Sequence, residues 1–248
     1  MADRTEPAVL LAEHAFNARW WGNPVGVVRD AGFFRLPMAQ RRQELARFAW
    51  AEFACAQDTD PALLAAAADT GFVWADVQIP FRIGLASPAV EAAARDSSPL
   101  EARTVAEGWR TPPAAIPVRS FTSERFLMLP GATQARIDER FRGWAAEICA
   151  GSPELCLEFA RGGSVQGWFL AEPDGASGIR LTLAALAEQA ACSGMELYRA
   201  ALHAYARRGF RLGAASFSVR NTAVMSIYAA LQARFQPPRP VFLWWPRG

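Results

Sequence analysis

Several residue types that common catalytic chemistries need are scarce in this sequence. The chain contains no lysine, so all 26 basic residues are arginine, and neither a Schiff-base lysine nor a P-loop lysine can be present. It has four cysteines and two histidines, with no Cys-x-x-Cys pair, so no zinc site is indicated. We therefore expect no metal cofactor and four buried free thiols, although a Cys-His nucleophile pair between distant residues stays open.

Long apolar runs and a strong charge of either sign are also missing. No stretch approaches the roughly 20 apolar residues that span a bilayer, and the N-terminus, Met1–Glu6, carries charges where a signal peptide would be apolar. The net charge of +2 gives little electrostatic reason to expect nucleic acid as a partner. These observations favour a cytoplasmic protein with neither a membrane nor a nucleic-acid partner.

The first part of the chain combines short strand and helix signals. Apolar residues spaced i, i+3, i+4 and i+8 predict a helix over 40–56. Asp60 before a proline predicts a second helix over 61–68. The segment 72–85 is typical of a strand, broken at Pro80 because proline cannot donate to a ladder. Small and charged residues from Ala86 to Ser98 then predict a boundary between two domains, 1–98 and 99–248.

The second part predicts a mixed α/β fold. A helix over 134–150 precedes a hairpin that turns at Gly162-Gly163. The remaining predicted elements are a strand over 179–186, a helix from Gly194 that Gly209 ends, a strand over 212–219, a helix from Asn221 to about Arg234, and a last strand over 241–245. No Gly-x-Gly-x-x-Gly opens a helix, which argues against a dinucleotide fold. The apolar last strand can pair internally or across a homodimer.

One strand-to-helix connection carries a chemical signal. Gln189-Ala-Ala-Cys-Ser-Gly194 consists mostly of small residues directly before a predicted helix. A helix N-terminus offers unpaired backbone N–H groups and partial positive charge, and small residues let a phosphate approach them. The pattern favours a phosphate-binding loop, and an ordinary turn is the alternative.

This stretch resembles the Gln/Arg-x-x-Gly-x-Gly/Ala pyrophosphate loop of the GNAT N-acyltransferases. The segment from Asn221 to Tyr228 is similar to that family's Asn-x-x-Ala-x-x-x-Tyr helix, with Val224 in place of the alanine, and the two motifs cover roughly the last 70 residues. Over most of the chain the sequence also resembles sugar-nucleotide amine acetyltransferases such as TDP-fucosamine acetyltransferase. The likeness implies a GNAT acyl-CoA N-acyltransferase fold, 99–248, after a smaller incomplete α/β domain, 1–98.

The resemblance implies a role for each candidate residue. Tyr228 would protonate the leaving thiolate, with a place in the core stripe of its helix as the alternative. Asp76 would act as general base, with an exposed loop aspartate as the alternative. Acetyl-CoA or another acyl-CoA would be the co-substrate, and its predicted contacts are Leu183, Ala184, Ala185, Gln189, Cys192, Ser193, Gly194 and Asn221. The acceptor pocket would involve Arg125, Phe126 and Trp168.

The resemblance thus implies N-acylation of a primary amine, preferably an amino sugar or sugar nucleotide. Cys192 stands where the family has its first loop glycine, and a residue at positive φ there would cost on the order of 1 kcal/mol. That departure leaves two alternatives. One is an acyltransferase of natural-product biosynthesis that uses another acyl-CoA or an acyl carrier protein. The other is a degenerate GNAT-like module that binds without catalysis.

Overall fold

The computed structural model describes residues 9–56, 58–87, 90, 100–113, 116 and 124–247. The chain divides into two compact units, each made of segments that are distant in sequence. The first unit comprises Met1–Gln78, Arg125–Ala132 and Pro237–Gly248, and the second comprises Ile79–Glu124 and Thr133–Gln236. The predicted boundary between residues 98 and 99 lies outside the described residues, so that division stays a prediction.

Among the described residues of the first unit, three α-helices alternate with strands along the sequence. Its elements are β1 (Leu11–Glu13), α1 (Ala15–Trp21), β2 (Val25–Val28), α2 (Met38–Leu45), β3 (Trp50–Ala54), α3 (Pro61–Thr70), the first part of β4 (Val73–Gly84) and β11 (Arg239–Trp244). The strand order is β1-β2-β3-β11-β4, and only β2 and β3 run parallel. Phe33, Phe34, Phe53 and Phe72 belong to its apolar core.

The second unit carries the elements around the predicted donor site. They are the rest of β4, β5 (Glu101–Thr104), α4 (Gln134–Gly151), β6 (Cys156–Arg161), β7 (Ser164–Asp174), β8 (Gly178–Leu186), α5 (Gly194–Arg207), β9 (Leu212–Ser218), α6 (Thr222–Ala230) and β10 (Arg234–Phe235). The strand order is β4-β9-β8-β7-β6-β5, with β8 and β9 parallel. The predicted mixed α/β fold is confirmed.

Local sequence signals explain why α5 and α6 begin where they do. Ser193 accepts a hydrogen bond from the Glu196 amide, and Glu196 accepts one from the Ser193 amide, which is a complete capping box. Asn221 Oδ1 accepts from the Val224 amide and begins α6. Gly209, at φ +90°, ends α5 in the left-handed conformation that glycine favours.

Three predicted elements differ from the structure. The helix expected over 40–56 ends at Leu45, and Trp50–Ala54 is instead strand β3, because its backbone bonds to β2 and β11. Pro80 does not break β4: the strand continues through it, and its pairs with β11 end at Gln78 while its pairs with β10 begin at Phe81. Helix α6 ends at Ala230 rather than near Arg234.

The last strand pairs internally. Arg239–Trp244 bonds to β3 along one edge and to β4 along the other. Both edges of this strand therefore form hydrogen bonds within the chain, which is the first of the two pairings that the sequence allowed. No helix among the described residues has the length and apolar character needed to cross a bilayer.

Candidate functional site

The candidate site lies in the second unit, where β8 and β9 separate. The two strands pair only at Gly178–Arg180 and Leu212–Ala214, although β8 continues to Leu186 and β9 to Ser218. Beyond those three pairs no described residue of β9 joins β8, so the two parallel strands diverge toward their carboxyl ends. Such an opening at the carboxyl ends of parallel strands is a common place for a ligand.

The predicted pantetheine strand borders this opening. Leu183, Ala184 and Ala185 pair with Leu170, Phe169 and Trp168 of β7 on one edge, and their opposite edge faces the gap. Ala184 and Ala185 are partly exposed. Because alternate residues of a strand direct their N–H and C=O groups to opposite edges, this segment offers main-chain groups to an extended amide-bearing ligand.

The connection from β8 to α5 forms the end of the gap. The Ala190 amide bonds to the Ala187 carbonyl, so Gln189 occupies a turn and its side chain is exposed. Gly194 opens α5, and a Cβ placed on it would lie 3.3 Å from Ile227 Cδ1 of α6. The small residue predicted there therefore allows the start of α5 to approach α6.

Most of the loop amides already have protein acceptors. Gln166 Oε1 accepts hydrogen bonds from the amides of Ala191 at 2.8 Å and Cys192 at 3.1 Å. Glu196 Oε2 accepts from the Ser193 amide at 2.7 Å, and Ser193 Oγ accepts from the Glu196 amide at 3.2 Å. A phosphate group reaching this loop would have to compete with these side chains.

Cys192 fits the loop without the predicted strain. Among the described residues, Gln232 is the one non-glycine at positive φ, so Cys192 has an ordinary backbone conformation and needs no glycine. Its side chain lies in the core cluster of the second unit. Burial raises the pKa of the Cys192 thiol, which makes a reactive thiolate there unfavourable.

Tyr228 is held in an aromatic cluster beside α5. Its ring centroid lies 3.9 Å from that of Phe81, 5.3 Å from that of Tyr198 and 6.3 Å from that of Phe217, and the residue is 3% exposed. Burial raises its pKa well above the ordinary tyrosine value. The phenol is therefore protonated at neutral pH, which is the form that a proton donor needs.

Asn221 is placed at the head of the same helix. Its side-chain oxygen caps α6 through the Val224 amide at 3.1 Å. Capping thus uses the oxygen, and the carboxamide nitrogen is the part that can meet a ligand. The predicted pantetheine contact of Asn221 stays a prediction.

Four polar residues of this region were missed by the sequence reasoning. They are Tyr198, Gln166, Glu196 and Arg161. The motif Ser193-x-x-Glu196 could have identified Glu196, because it is the sequence signature of a capping box. No local pattern marks Gln166, which reaches the loop from β7, 25 residues upstream of Ala191.

Trp168 of β7 is a core residue with one polar contact. It is 2% exposed, and its Nε1 donates to Glu158 Oε2 at 3.3 Å. Glu158, also buried, accepts from the amides of Arg110 and Thr111. The ring therefore presents almost no surface on which an acceptor sugar could stack.

The three remaining predicted residues belong to the first unit. Asp76 lies inside β4, so its interpretation as an exposed loop residue is wrong; its carboxylate accepts from the Val77 amide and from Gln78 Nε2. Arg125 donates to Glu52 at 3.0 Å and stacks 4.4 Å from the ring centre of Phe126. Phe126 is fully buried between Trp20 and Trp50.

The mixed α/β sheet with its helices has the fold of the GCN5-related N-acetyltransferases, the GNAT proteins. No family model and no curated protein sequence matches the chain. Solved structures do match it, at identities that establish the fold alone.

Three of these structures illustrate the match. A GCN5-related N-acetyltransferase from Sphaerobacter thermophilus aligns with 94% of this chain and 75% of its own, at 14% identity and a TM-score of 0.57. A tandem GNAT protein from the clavulanic acid biosynthesis pathway aligns with 92% of this chain and 77% of its own, at 15% identity and a TM-score of 0.51. A glucosamine N-acetyltransferase region of a fungal multi-domain GH3 β-N-acetylglucosaminidase aligns with 90% of this chain and 30% of that one, at 9% identity and a TM-score of 0.59.

Proposed function

We propose that this chain is an N-acyltransferase that moves an acyl group, preferably acetyl, from an acyl-CoA thioester to a primary amine. The observation that carries the proposal is the gap between β8 and β9. Main-chain groups at Leu183–Ala185 border this gap, and we assign the role of proton donor to Tyr228, a buried, protonated phenol on the helix that follows β9. An extended pantetheine arm has amide groups that suit such a strand edge.

Direct transfer accounts for the chemistry without a covalent enzyme intermediate. The neutral amine attacks the thioester carbonyl, a C–N bond forms and the C–S bond breaks. The leaving thiolate takes a proton from the Tyr228 hydroxyl, which is reprotonated from solvent, and the attacking nitrogen gives up its extra proton to yield the neutral amide. Asp76 stays the sequence-based candidate for accepting that proton.

An amino sugar, free or nucleotide-linked, is the preferred acceptor. The resemblance to sugar-nucleotide amine acetyltransferases such as TDP-fucosamine acetyltransferase supports this choice, as does the fold shared with a glucosamine N-acetyltransferase region. Arg125 is the proposed contact for a diphosphate, since a guanidinium suits phosphate oxygens.

The test is thiol release from acetyl-CoA in the presence of amino sugars and amino-sugar nucleotides, compared with simple primary amines. Tyr228→Phe should lower kcat by about 10²–10⁴-fold, the range for general acid catalysis, while donor affinity stays unchanged. The matched control is Tyr205→Phe, another buried phenol of the same core, whose hydroxyl donates to the Leu155 carbonyl. If Tyr228→Phe leaves turnover unchanged, the assignment of Tyr228 is wrong. If none of the tested amines leads to thiol release, the proposed reaction is wrong.

The occupied loop amides favour a second candidate, a GNAT-like module that binds a ligand without catalysis. Gln166 and Glu196 already bond to three of the amides that would meet a phosphate. Calorimetry distinguishes the two candidates: the module predicts no binding of CoA or acyl-CoA together with no thiol release.

A further inference from the structure

Two side chains, Gln166 and Glu196, act together at the start of α5, and we call them the capping pair. They contribute three oxygen contacts to the amides of Ala191, Cys192 and Ser193, at 2.7 to 3.1 Å. These are well-formed hydrogen bonds. The capping pair therefore occupies the positions where the oxygens of a diphosphate would bind to the loop.

The capping pair is held from three elements rather than by the loop alone. Gln166 is buried in β7, and its Nε2 donates to the Ser164 carbonyl at 3.1 Å, which directs Oε1 toward the loop. Arg161 of β6 bonds to Glu196 Oε1 at 2.9 Å. Displacing either side chain would break contacts on both of its ends, so a ligand gains little by doing so.

The charge at this position also opposes an anion. The hydrogen bond from the Ser193 amide, followed by that from Arg161, lowers the pKa of Glu196, so its carboxylate is ionised at neutral pH. A carboxylate at a helix N-terminus already compensates the partial positive charge there. A diphosphate arriving at the loop would find the Arg161 guanidinium and the helix terminus already paired with this carboxylate, so neither positive group is free to attract it.

We propose that the capping pair sets donor specificity: the site takes an acyl-pantetheine thioester through its pantetheine arm, and the diphosphate of CoA contributes no affinity. This inference rests on the proposed function. The shared chemistry, a pantetheine thioester, can come from CoA, from a carrier protein or from pantetheine itself.

Calorimetric binding of CoA and of pantetheine tests the proposal. In the unaltered protein we expect equal affinities, within about threefold. In Gln166→Ala/Glu196→Ala the affinity for CoA should rise by at least about tenfold, while the affinity for pantetheine stays the same. Glu196→Gln keeps the cap but removes the charge, and a smaller gain for CoA is expected. Glu139→Gln, on the exposed face of α4, removes the same charge elsewhere and should change neither affinity.

Two results overturn the proposal. One is a preference of the unaltered protein for CoA over pantetheine of more than about tenfold. The other is a folded double variant, verified by circular dichroism, that gains no affinity for CoA. An acetyl-phosphopantetheine bound to a carrier protein tests which molecule supplies the thioester. If it is turned over faster than acetyl-CoA, a carrier protein is the natural donor. Absence of acetyl transfer from all donors counts against the proposed function, whereas the two affinities decide the role of the capping pair.

Discussion

Replacing Gly167 with alanine should destabilise the second unit through a steric clash between β7 and β8. An alanine Cβ would lie 2.5 Å from the Ala185 carbonyl oxygen, 3.2 Å from Leu186 Cα and 3.1 Å from Leu197 Cδ2. The nearest two atoms of β8 belong to the backbone, which cannot move aside as a flexible side chain can. The strands must therefore shift by several tenths of an ångström.

The size of this effect follows from two opposing contributions. Overpacking a well-packed interior costs about 1–3 kcal/mol, and a clash with backbone belongs near the upper end. The lower entropy of the unfolded chain with alanine offsets about 0.4–1 kcal/mol. We therefore expect the free energy of unfolding to fall by about 2 kcal/mol, which is roughly a 30-fold change in the folding equilibrium.

Denaturant unfolding, followed by circular dichroism, measures this change. Gly143→Ala is the matched control: Gly143 lies inside α4, and a Cβ there meets nothing within 4 Å. That variant should gain about 0.5–1 kcal/mol from the higher helix propensity of alanine. A Gly167→Ala protein as stable as the unaltered one would refute the close approach of β7 and β8. Because Ala185 borders the gap, the same variant should also weaken donor binding.

Three further predictions concern the same unit. Gln166→Met loses the acceptor for two amides and should lower the free energy of unfolding by about 2 kcal/mol. The control, Gln189→Met in the exposed turn, should change it by less than about 0.5 kcal/mol. Equal losses of the two variants in urea titrations would contradict the contacts of Gln166. Gln232 follows α6 at φ +59°, so Gln232→Gly should raise the melting temperature slightly, and a clear decrease would argue against that backbone conformation. Burial raises the pKa values of Tyr205 and Tyr228. Their contribution to stability is therefore complete below the ordinary tyrosine pKa near 10 and is lost as the pH rises above it. A free energy of unfolding that stays constant from about pH 9 to 11.5 would contradict this prediction.

The interplay of local and distant contacts explains which parts of the fold could be predicted. Helix α5 was predictable because its start and end are encoded by adjacent residues, a serine cap with Glu196 and a terminal Gly209. The segment Trp50–Ala54 was not, since its apolar spacing suits a helix and only the bonds to β2 and β11 make it a strand. Periodicity reports which residues are buried, but it does not contain the partners that decide between helix and strand.

For the candidate site, the sequence determined the motifs and their order. A small-residue loop, a capped helix and Tyr228 seven residues after Asn221 depend on spacing within one helix or turn, which the chain fixes locally. The tertiary structure decided how these parts are used. It brings Gln166 from β7 to the loop amides, places Tyr198 against Tyr228 and buries Asp76 within a strand, because each of these contacts joins residues that only folding makes neighbours.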